Sequence, residues 1–248
     1  MNSDHPDAMH ECGNDCRRSF MKSIAPLGLA GLLGLTGSPS VEARSRGRHN
    51  LDDLSPQQIL AEIMRGNAYF RRNKSYAYTF HREAALASSE TQTPGAAFLS
   101  CIDSRAPAEI VTELAPGEAF NARVAGNVSS DDILGSLEFA CSASTAKVLM
   151  VMGHTRCGAV KGAIDNVQMG HLTQLLDKIK PAIAATEYSG ERTGSNYDFV
   201  DAVAKTNVKM VIDEIKRQSP ILEGRVRDGK LLMVGGMYNV STLKLTLL

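Results

Sequence analysis

The sequence predicts an α/β domain built on a mainly parallel β-sheet. Short apolar runs that are typical of buried strands alternate with stretches whose apolar residues recur at helical spacing. Neither an internal repeat nor a low-complexity linker interrupts residues 51–248. The chain of 248 residues is 43% hydrophobic and 22% charged, which is an ordinary composition for a globular protein. We therefore expect one domain with a substantial core.

The individual elements follow from these patterns in chain order. Ser55 can cap a first helix, and Gln58 can complete a capping box with it. Ser130 marks a second helix start, and apolar periodicity predicts further helices over residues 172–183 and 200–215. The predicted strands are residues 96–100, 118–124, 147–152, 231–234 and 242–248, the last of them as an edge strand.

Residues 1–43 resemble an export signal of the twin-arginine type. Arg17 and Arg18 precede an apolar run over residues 24–35, which is shorter than the ~20 residues that a membrane-spanning helix needs. Small residues near the end of this segment fit cleavage after Ala43. The alternative is an uncleaved N-terminal anchor, or a chance pair of arginines.

A leader over residues 1–43, a flexible join over residues 44–54 and one domain over residues 55–248 follow from this reading. We expect the twin-arginine export machinery to recognise the leader. The protein would then be periplasmic or secreted, with no stable membrane span.

The charge balance gives no reason to expect a nucleic-acid partner. The chain carries 27 basic and 27 acidic residues, for a formal net charge of +0. Domains that bind nucleic acid usually carry a basic excess, because contacts to the phosphates dominate their affinity.

The cysteines are too sparse for a disulfide scaffold. Five occur in the chain, none in a CxxC pair. Cys12 and Cys16 fall in the predicted leader, so the domain retains Cys101, Cys141 and Cys157. An odd number of widely spaced thiols needs another explanation.

Two short segments that each follow a predicted strand carry the candidate chemistry. The first is CIDSR, residues 101–105, and the second is HTRCG, residues 154–158. Because the carboxyl ends of parallel strands meet at one edge of a sheet, these loops can converge. Cys101, His154 and Cys157 would then offer two thiolates and an imidazole to zinc, with a fourth position left open, as catalytic zinc requires.

Two thiolates neutralise Zn²⁺ completely, so bound water is acidified less than at an all-histidine site. The protein therefore needs further help to generate and hold hydroxide. Arg105 can pair with Asp103 and keep that carboxylate ionised and oriented. Asp103 can then accept a hydrogen bond from the zinc-bound hydroxide and direct its lone pair at an electrophile.

A structural zinc site is the competing interpretation of the same residues. Such a site would need a fourth protein ligand, which Cys141 or His171 could supply. Both fall on helical patterns, and a buried cysteine is more often a small apolar side chain.

The residues quoted above resemble the two zinc motifs of the β-class carbonic anhydrases. Three further segments are similar to parts of that family: PGEAF at residues 116–120, RVAGN at residues 123–127 and VGGMYN at residues 234–239. The resemblance covers about residues 90–248. It implies a parallel sheet with an antiparallel edge strand, flanked by helices, in a catalytic domain that works as a homodimer or a higher even-numbered oligomer.

The resemblance also implies roles for individual residues. Cys101, His154 and Cys157 would bind one Zn²⁺ per chain, and Asp103 with Arg105 would form the catalytic dyad. Four further residues would contact the substrate, CO₂ or bicarbonate: Gln92, Phe120, Ala125 and Phe139. Phe139 stands where many members have a tyrosine that is supplied across the subunit interface.

The resemblance implies reversible hydration of CO₂ to bicarbonate and a proton. Two rivals remain open at the level of the sequence. One is a hydrolase of CS₂ or COS with the same fold, and the other is a non-catalytic, zinc-stabilised binding protein.

Overall fold

A computed structural model of the chain describes residues 51–73 and 78–248, so the predicted leader and residues 44–50 of the join lie outside the described residues. The strands are β1 (Ala96–Ser100), β2 (Ala119–Arg123), β3 (Val148–His154), β4 (Leu232–Tyr238) and β5 (Leu245–Leu247). The helices before β3 are α1 (Pro56–Arg71), α2 (Tyr78–Ala87), α3 (Ala108–Val111) and α4 (Asp131–Glu138). Those after it are α5 (Gly158–Ile164), α6 (Gly170–Asp177), α7 (Lys180–Ala185), α8 (Tyr197–Gln218) and α9 (Pro220–Arg227).

The five strands form one sheet in the order β2-β1-β3-β4-β5. The first four strands pair in parallel, and β5 pairs antiparallel with β4 at the edge. The predicted fold class, a mainly parallel sheet with an antiparallel edge strand and flanking helices, is therefore confirmed. The capping box at the start of α1 is also present, because Ser55 accepts from the backbone of Gln58 and Gln58 accepts from that of Ser55.

Three elements differ from the patterns in the sequence. The predicted strand over residues 147–152 continues to His154, which is the last residue of β3. The predicted helix over residues 172–183 is two helices, α6 and α7, and Pro181 lies in the first turn of the second one. Cys141 lies in a π-helical turn, Phe139–Ala143, that follows α4.

Apolar side chains cover both faces of the sheet and one end of it. Alternate residues of β1 and β3 point to opposite faces, so Phe98 and Met150 pack against α1 and α3, while Leu99 and Val151 pack towards α4, α8 and α9. A third apolar cluster, from α5 to α8, surrounds the carboxyl ends of these two strands. The fold thus builds an apolar enclosure around the sheet end that the sequence assigns to chemistry.

None of the helices within residues 51–73 and 78–248 combines the length and the apolar character that crossing a membrane requires.

Candidate metal centre

The three predicted ligands meet at the carboxyl ends of β1 and β3. Cys101 follows β1 directly, His154 ends β3, and Cys157 precedes α5 as its N-cap residue. Their ligand atoms all lie within 4.8 Å of one another, and the two sulfur atoms are 4.0 Å apart. The residues are buried, with exposed fractions of 3%, 1% and 2%. We call these three residues the metal group.

His154 has one ring nitrogen with a partner and one without. Nδ1 lies 3.0 Å from the carbonyl oxygen of Thr155, to which an Nδ1–H can donate. Nε2 is buried and has no hydrogen-bond partner. A buried polar atom without a partner is costly, and a metal ion would satisfy it. Two cysteine sulfurs and one imidazole nitrogen therefore fit a zinc ion by chemistry and by arrangement.

The sulfur atoms of Cys101 and Cys157 lie within hydrogen-bond distance of each other. This hydrogen bond lowers the pKa of Cys101, although burial opposes the change. The same hydrogen bond, together with burial, raises the pKa of Cys157. Burial disfavours a charged imidazole, but contact with the Cys101 sulfur outweighs it and raises the pKa of His154. Negative charge thus collects at the point where a cation would bind.

Asp103 and Arg105 form the predicted pair beside the metal group. Arg105 donates from its backbone N–H and from Nε to Asp103 Oδ1, both at 2.9 Å, and from Nη2 to Oδ2 at 2.8 Å. These bonds lower the pKa of Asp103 to about 2. Asp103 Oδ2 also lies 3.9 Å from His154 Nε2. An ionised carboxylate is therefore held next to the metal group by a bidentate guanidinium.

Arg123, at the end of β2, fixes the loop that carries Cys101 and Asp103. Its Nε donates to the carbonyl oxygen of Cys101 at 3.0 Å, and its Nη2 donates to that of Asp103 at 2.7 Å. No role for Arg123 was predicted from the sequence. Its register brings it to this loop, because Arg123 pairs with Ser100, the residue just before Cys101, and no local sequence pattern indicates that pairing.

Asp201 of α8 holds the second loop. Its Oδ1 accepts the backbone N–H of Arg156 at 2.7 Å. Arg156 has a left-handed backbone with φ of 55°, which is costly for a residue with a Cβ, and its guanidinium lies 4.9 Å from the centre of the Tyr197 ring. The loop between His154 and Cys157 is thus held in a strained conformation by contacts to α8.

A third support reaches the sulfur of Cys101 from the turn Ala125–Asn127. The backbone N–H of Gly126 donates to Cys101 Sγ at 3.3 Å. Asn207 of α8 donates from Nδ2 to the carbonyl oxygen of Gly126 at 2.9 Å. Asn207 was also missed in the sequence, although an asparagine four residues after Val203 and four before Val211 stands at a core position of an apolar helix face.

The structure places the predicted substrate residues in three different regions. Ala125 belongs to the turn beside the metal group. Phe120 and Phe139 contact each other with ring centres 5.9 Å apart, and line an open groove of about 690 Å³ between β2 and α4. Gln92 lies in an exposed segment before the amino end of β1. Along the extended chain, Phe120 stands four residues, or roughly 13 Å, before Val124, the residue that precedes Ala125. The groove is therefore separate from the turn beside the metal group.

The two candidates for a fourth ligand lie elsewhere. Cys141 is buried in a different apolar cluster from Cys101 and Cys157, and burial raises its pKa to about 12. His171 is exposed in the first turn of α6. Of the histidine, cysteine, aspartate and glutamate residues within 51–73 and 78–248, those that gather as possible metal ligands are the three of the metal group.

Comparison with known proteins gives a consistent result. The family profile described as "Carbonic anhydrase" matches residues 96–245. Carbonic anhydrase 2 of Mycobacterium tuberculosis is 30% identical over 197 residues, which cover 77% of this chain and 91% of that protein. The β-carbonic anhydrase CafA of Aspergillus fumigatus has a similar structure, with a TM-score of 0.61 and 26% identity over 68% of this chain and 82% of that one. The Coccomyxa β-carbonic anhydrase, solved with acetazolamide, has a TM-score of 0.58 and 25% identity over the same shares of the two chains.

Proposed function

This chain belongs to the β-class carbonic anhydrases, and we propose from that premise that Cys101, His154 and Cys157 hold one zinc ion at which CO₂ is reversibly hydrated to bicarbonate. The observation that carries the proposal is the buried metal group, whose His154 Nε2 has no other partner. A zinc ion held by these three residues would supply an acidified water as the nucleophile for CO₂.

Asp103 orients the attacking oxygen. Because three hydrogen bonds from Arg105 occupy the outer side of the carboxylate and lower its pKa to about 2, Asp103 stays ionised at neutral pH. It can therefore only accept a hydrogen bond there, and this fixes which lone pair of the oxygen faces CO₂. Arg105 also donates to the carbonyl oxygen of Arg156 at 3.3 Å, which ties the dyad to the second ligand loop.

A second copy of the chain would complete the substrate pocket. Ala125 can line the pocket from the same chain as the metal group, since it adjoins Gly126. Gln92 is exposed, Phe120 is half-buried, and Phe139 is 58% exposed although its side chain is fully apolar. An open groove beside the sheet edge β2 suits the same face of a second copy. We therefore propose a homodimer or a higher even-numbered oligomer with pockets at the interface.

Parallel assays of CO₂, COS and CS₂ test the reaction. Protein with a measured zinc content would be mixed with each substrate under stopped flow. We expect turnover of CO₂ to exceed that of the sulfur analogues. Faster turnover of COS or CS₂ than of CO₂ would identify the protein as a hydrolase of those compounds. No turnover at full zinc occupancy would favour a binding protein.

We further propose that residues 1–43 direct export through the twin-arginine machinery, to the periplasm or the outside of the cell. The support is the sequence pattern of Arg17, Arg18 and the apolar run over residues 24–35. Export after folding suits this chemistry, because thiols that enter an oxidising compartment before binding metal can form disulfides.

Cell fractionation of a bacterial host that carries the full chain tests the export proposal. We expect activity in the periplasm or medium, and we expect the double variant Arg17→Lys, Arg18→Lys to retain active protein in the cytoplasm. Equal export of both proteins would contradict a twin-arginine signal.

A further inference from the structure

We propose that Asn207 is a positioning residue for the metal centre, which slows metal release by holding the backbone N–H of Gly126 on the sulfur of Cys101. This inference rests on the zinc site proposed above. It assigns a role at that site to a helix residue that belongs to neither ligand loop.

The contact chain has two hydrogen bonds, and both are buried. Asn207 Nδ2 donates to the Gly126 carbonyl oxygen at 2.9 Å, and the Gly126 N–H donates to Cys101 Sγ at 3.3 Å. Asn207 is 2% exposed, and its helical neighbour Val208 contacts β3 at Gly153. The long helix α8 thus provides a rigid base from which Asn207 reaches the turn.

Gly126 can transmit this contact because its conformation is closely constrained. Its φ of 67° and ψ of 15° are left-handed, which favours glycine. A Cβ at this position would lie 2.6 Å from Cδ1 of Ile179, so a larger residue would have to displace that side chain. The residue therefore turns its carbonyl oxygen towards α8 and its N–H towards Cys101. Loss of the Asn207 contact would free the carbonyl oxygen, and the N–H would lose its fixed direction.

An N–H donor on a thiolate has two effects on a bound metal. It fixes the position of the sulfur, and it stabilises the negative charge that the sulfur carries in the bound state. Partners that orient metal ligands in this way typically change metal affinity by about 10- to 100-fold when they are removed. We expect removal of the Asn207 amide to speed zinc release within that range.

Asn67 offers a matched control elsewhere in the chain. It is 3% exposed, and its Nδ2 donates to the carbonyl oxygens of Val111 and Leu243 at 2.9 and 3.0 Å. Its Oδ1 accepts the backbone N–H of Leu245 at 2.8 Å. Asn67 therefore stabilises the fold through the same kind of buried amide, but its partners do not contact the metal group.

The experiment compares Asn207→Leu with Asn67→Leu in the full, zinc-loaded chain. Both changes remove a buried amide of similar size, so both should lower stability. Transfer of zinc to an excess of a coloured chelator would be timed well below the unfolding midpoint. We expect roughly 10- to 100-fold faster release from Asn207→Leu and an unchanged rate from Asn67→Leu. The sulfur-to-metal charge-transfer band of the cobalt-substituted proteins should shift only in the Asn207 variant.

Equal release rates and equal cobalt spectra in the two variants would overturn the proposal. If Asn207→Leu does not fold, Asn207→Ala removes the same donor with a smaller side chain. The wild-type chain loaded with NMR-active cadmium gives a test that needs no variant. The Gly126 amide proton should show scalar coupling to the metal through Cys101 Sγ. Absence of this coupling would refute the contact chain. A wild-type chain that binds no zinc would instead contradict the proposed function.

Discussion

Two regions of the protein differ in how far a single chain completes them. One is the carboxyl ends of β1 and β3, and the other is the groove between β2 and α4. At the strand ends, the three ligands of the metal group are buried and each has defined supports. In the groove, Phe120 and Phe139 contact each other but leave an apolar surface open. The residues of the proposed metal site are therefore brought together within one chain, whereas we propose that the substrate pocket needs a second copy.

The largest effect is expected from the loss of a ligand. Cys157→Ser replaces a thiolate with a hydroxyl group that binds zinc poorly, so the zinc content should fall far below one per chain and kcat/KM should fall by more than about 100-fold. Cys141→Ser is the control, since Cys141 lies in another cluster and should keep zinc while costing about 1–3 kcal/mol of stability for a buried hydroxyl group. Metal analysis and stopped flow measure both. Equal zinc loss in the two variants would contradict the assignment.

Asp103→Asn should separate metal binding from catalysis. The amide keeps the size of the carboxylate but loses its charge, so zinc should remain while kcat/KM falls by roughly 100- to 10,000-fold. Asp165→Asn provides the control, because Asp165 also pairs with a basic residue, Lys161, but lies exposed at the end of α5. Full activity of Asp103→Asn at normal zinc content would rule out the dyad.

Phe139→Asp should affect the assembly without affecting the metal group. A charge placed on the exposed apolar groove should dissociate the oligomer and lower kcat/KM by about 10-fold or more, while each chain keeps its zinc. Analytical ultracentrifugation and metal analysis measure these outcomes. Met169→Asp changes another apolar residue that is 65% exposed, outside this groove, and serves as a control. A fully active monomer would show that the pocket is complete in one chain.

The smallest effect is expected at Asp201, and it depends on pH. Burial raises the pKa of Asp201, although the N–H of Arg156 opposes this. A carboxyl group whose pKa is raised by folding contributes its full stability below the pKa of the unfolded chain, and this contribution is lost as the pH rises through the folded pKa. Asp201→Asn should therefore gain roughly 0.5 kcal/mol or less relative to wild type near pH 7 and nothing below about pH 3, where the carboxyl group is protonated in both the folded and the unfolded chain.

Urea unfolding of zinc-free, reduced protein at several pH values measures the Asp201 effect. The asparagine can still accept the Arg156 N–H, so the loop contact is preserved and only the charge is removed. If Asp201→Asn is less stable than wild type near pH 7 and this loss disappears towards low pH, Asp201 is stabilised as an anion instead.

Much of the metal centre could be predicted from the sequence, because its signals are local. Each ligand segment follows a short apolar run that is typical of a buried strand, and parallel strands bring their ends together. The dyad could be predicted because Asp103 and Arg105 are two residues apart in one loop. The supports from Arg123, Asp201 and Asn207 could not be predicted, since each reaches a loop that is at least 20 positions away in the chain.

The substrate pocket marks another limit of prediction. Gln92, Phe120, Ala125 and Phe139 were assigned by resemblance alone, and these assignments stay predictions. Neither spacing nor periodicity indicates that a pocket is shared between two chains. A partly exposed aromatic pair beside a sheet edge becomes visible only when the fold is assembled.

Stopped-flow hydration of CO₂ during a zinc titration of the metal-free chain tests whether zinc at the metal group makes this chain a carbonic anhydrase. We predict a rate that rises in proportion to added zinc and levels off at one zinc per chain, with no activity before the first addition. Full zinc binding without CO₂ hydration would contradict it.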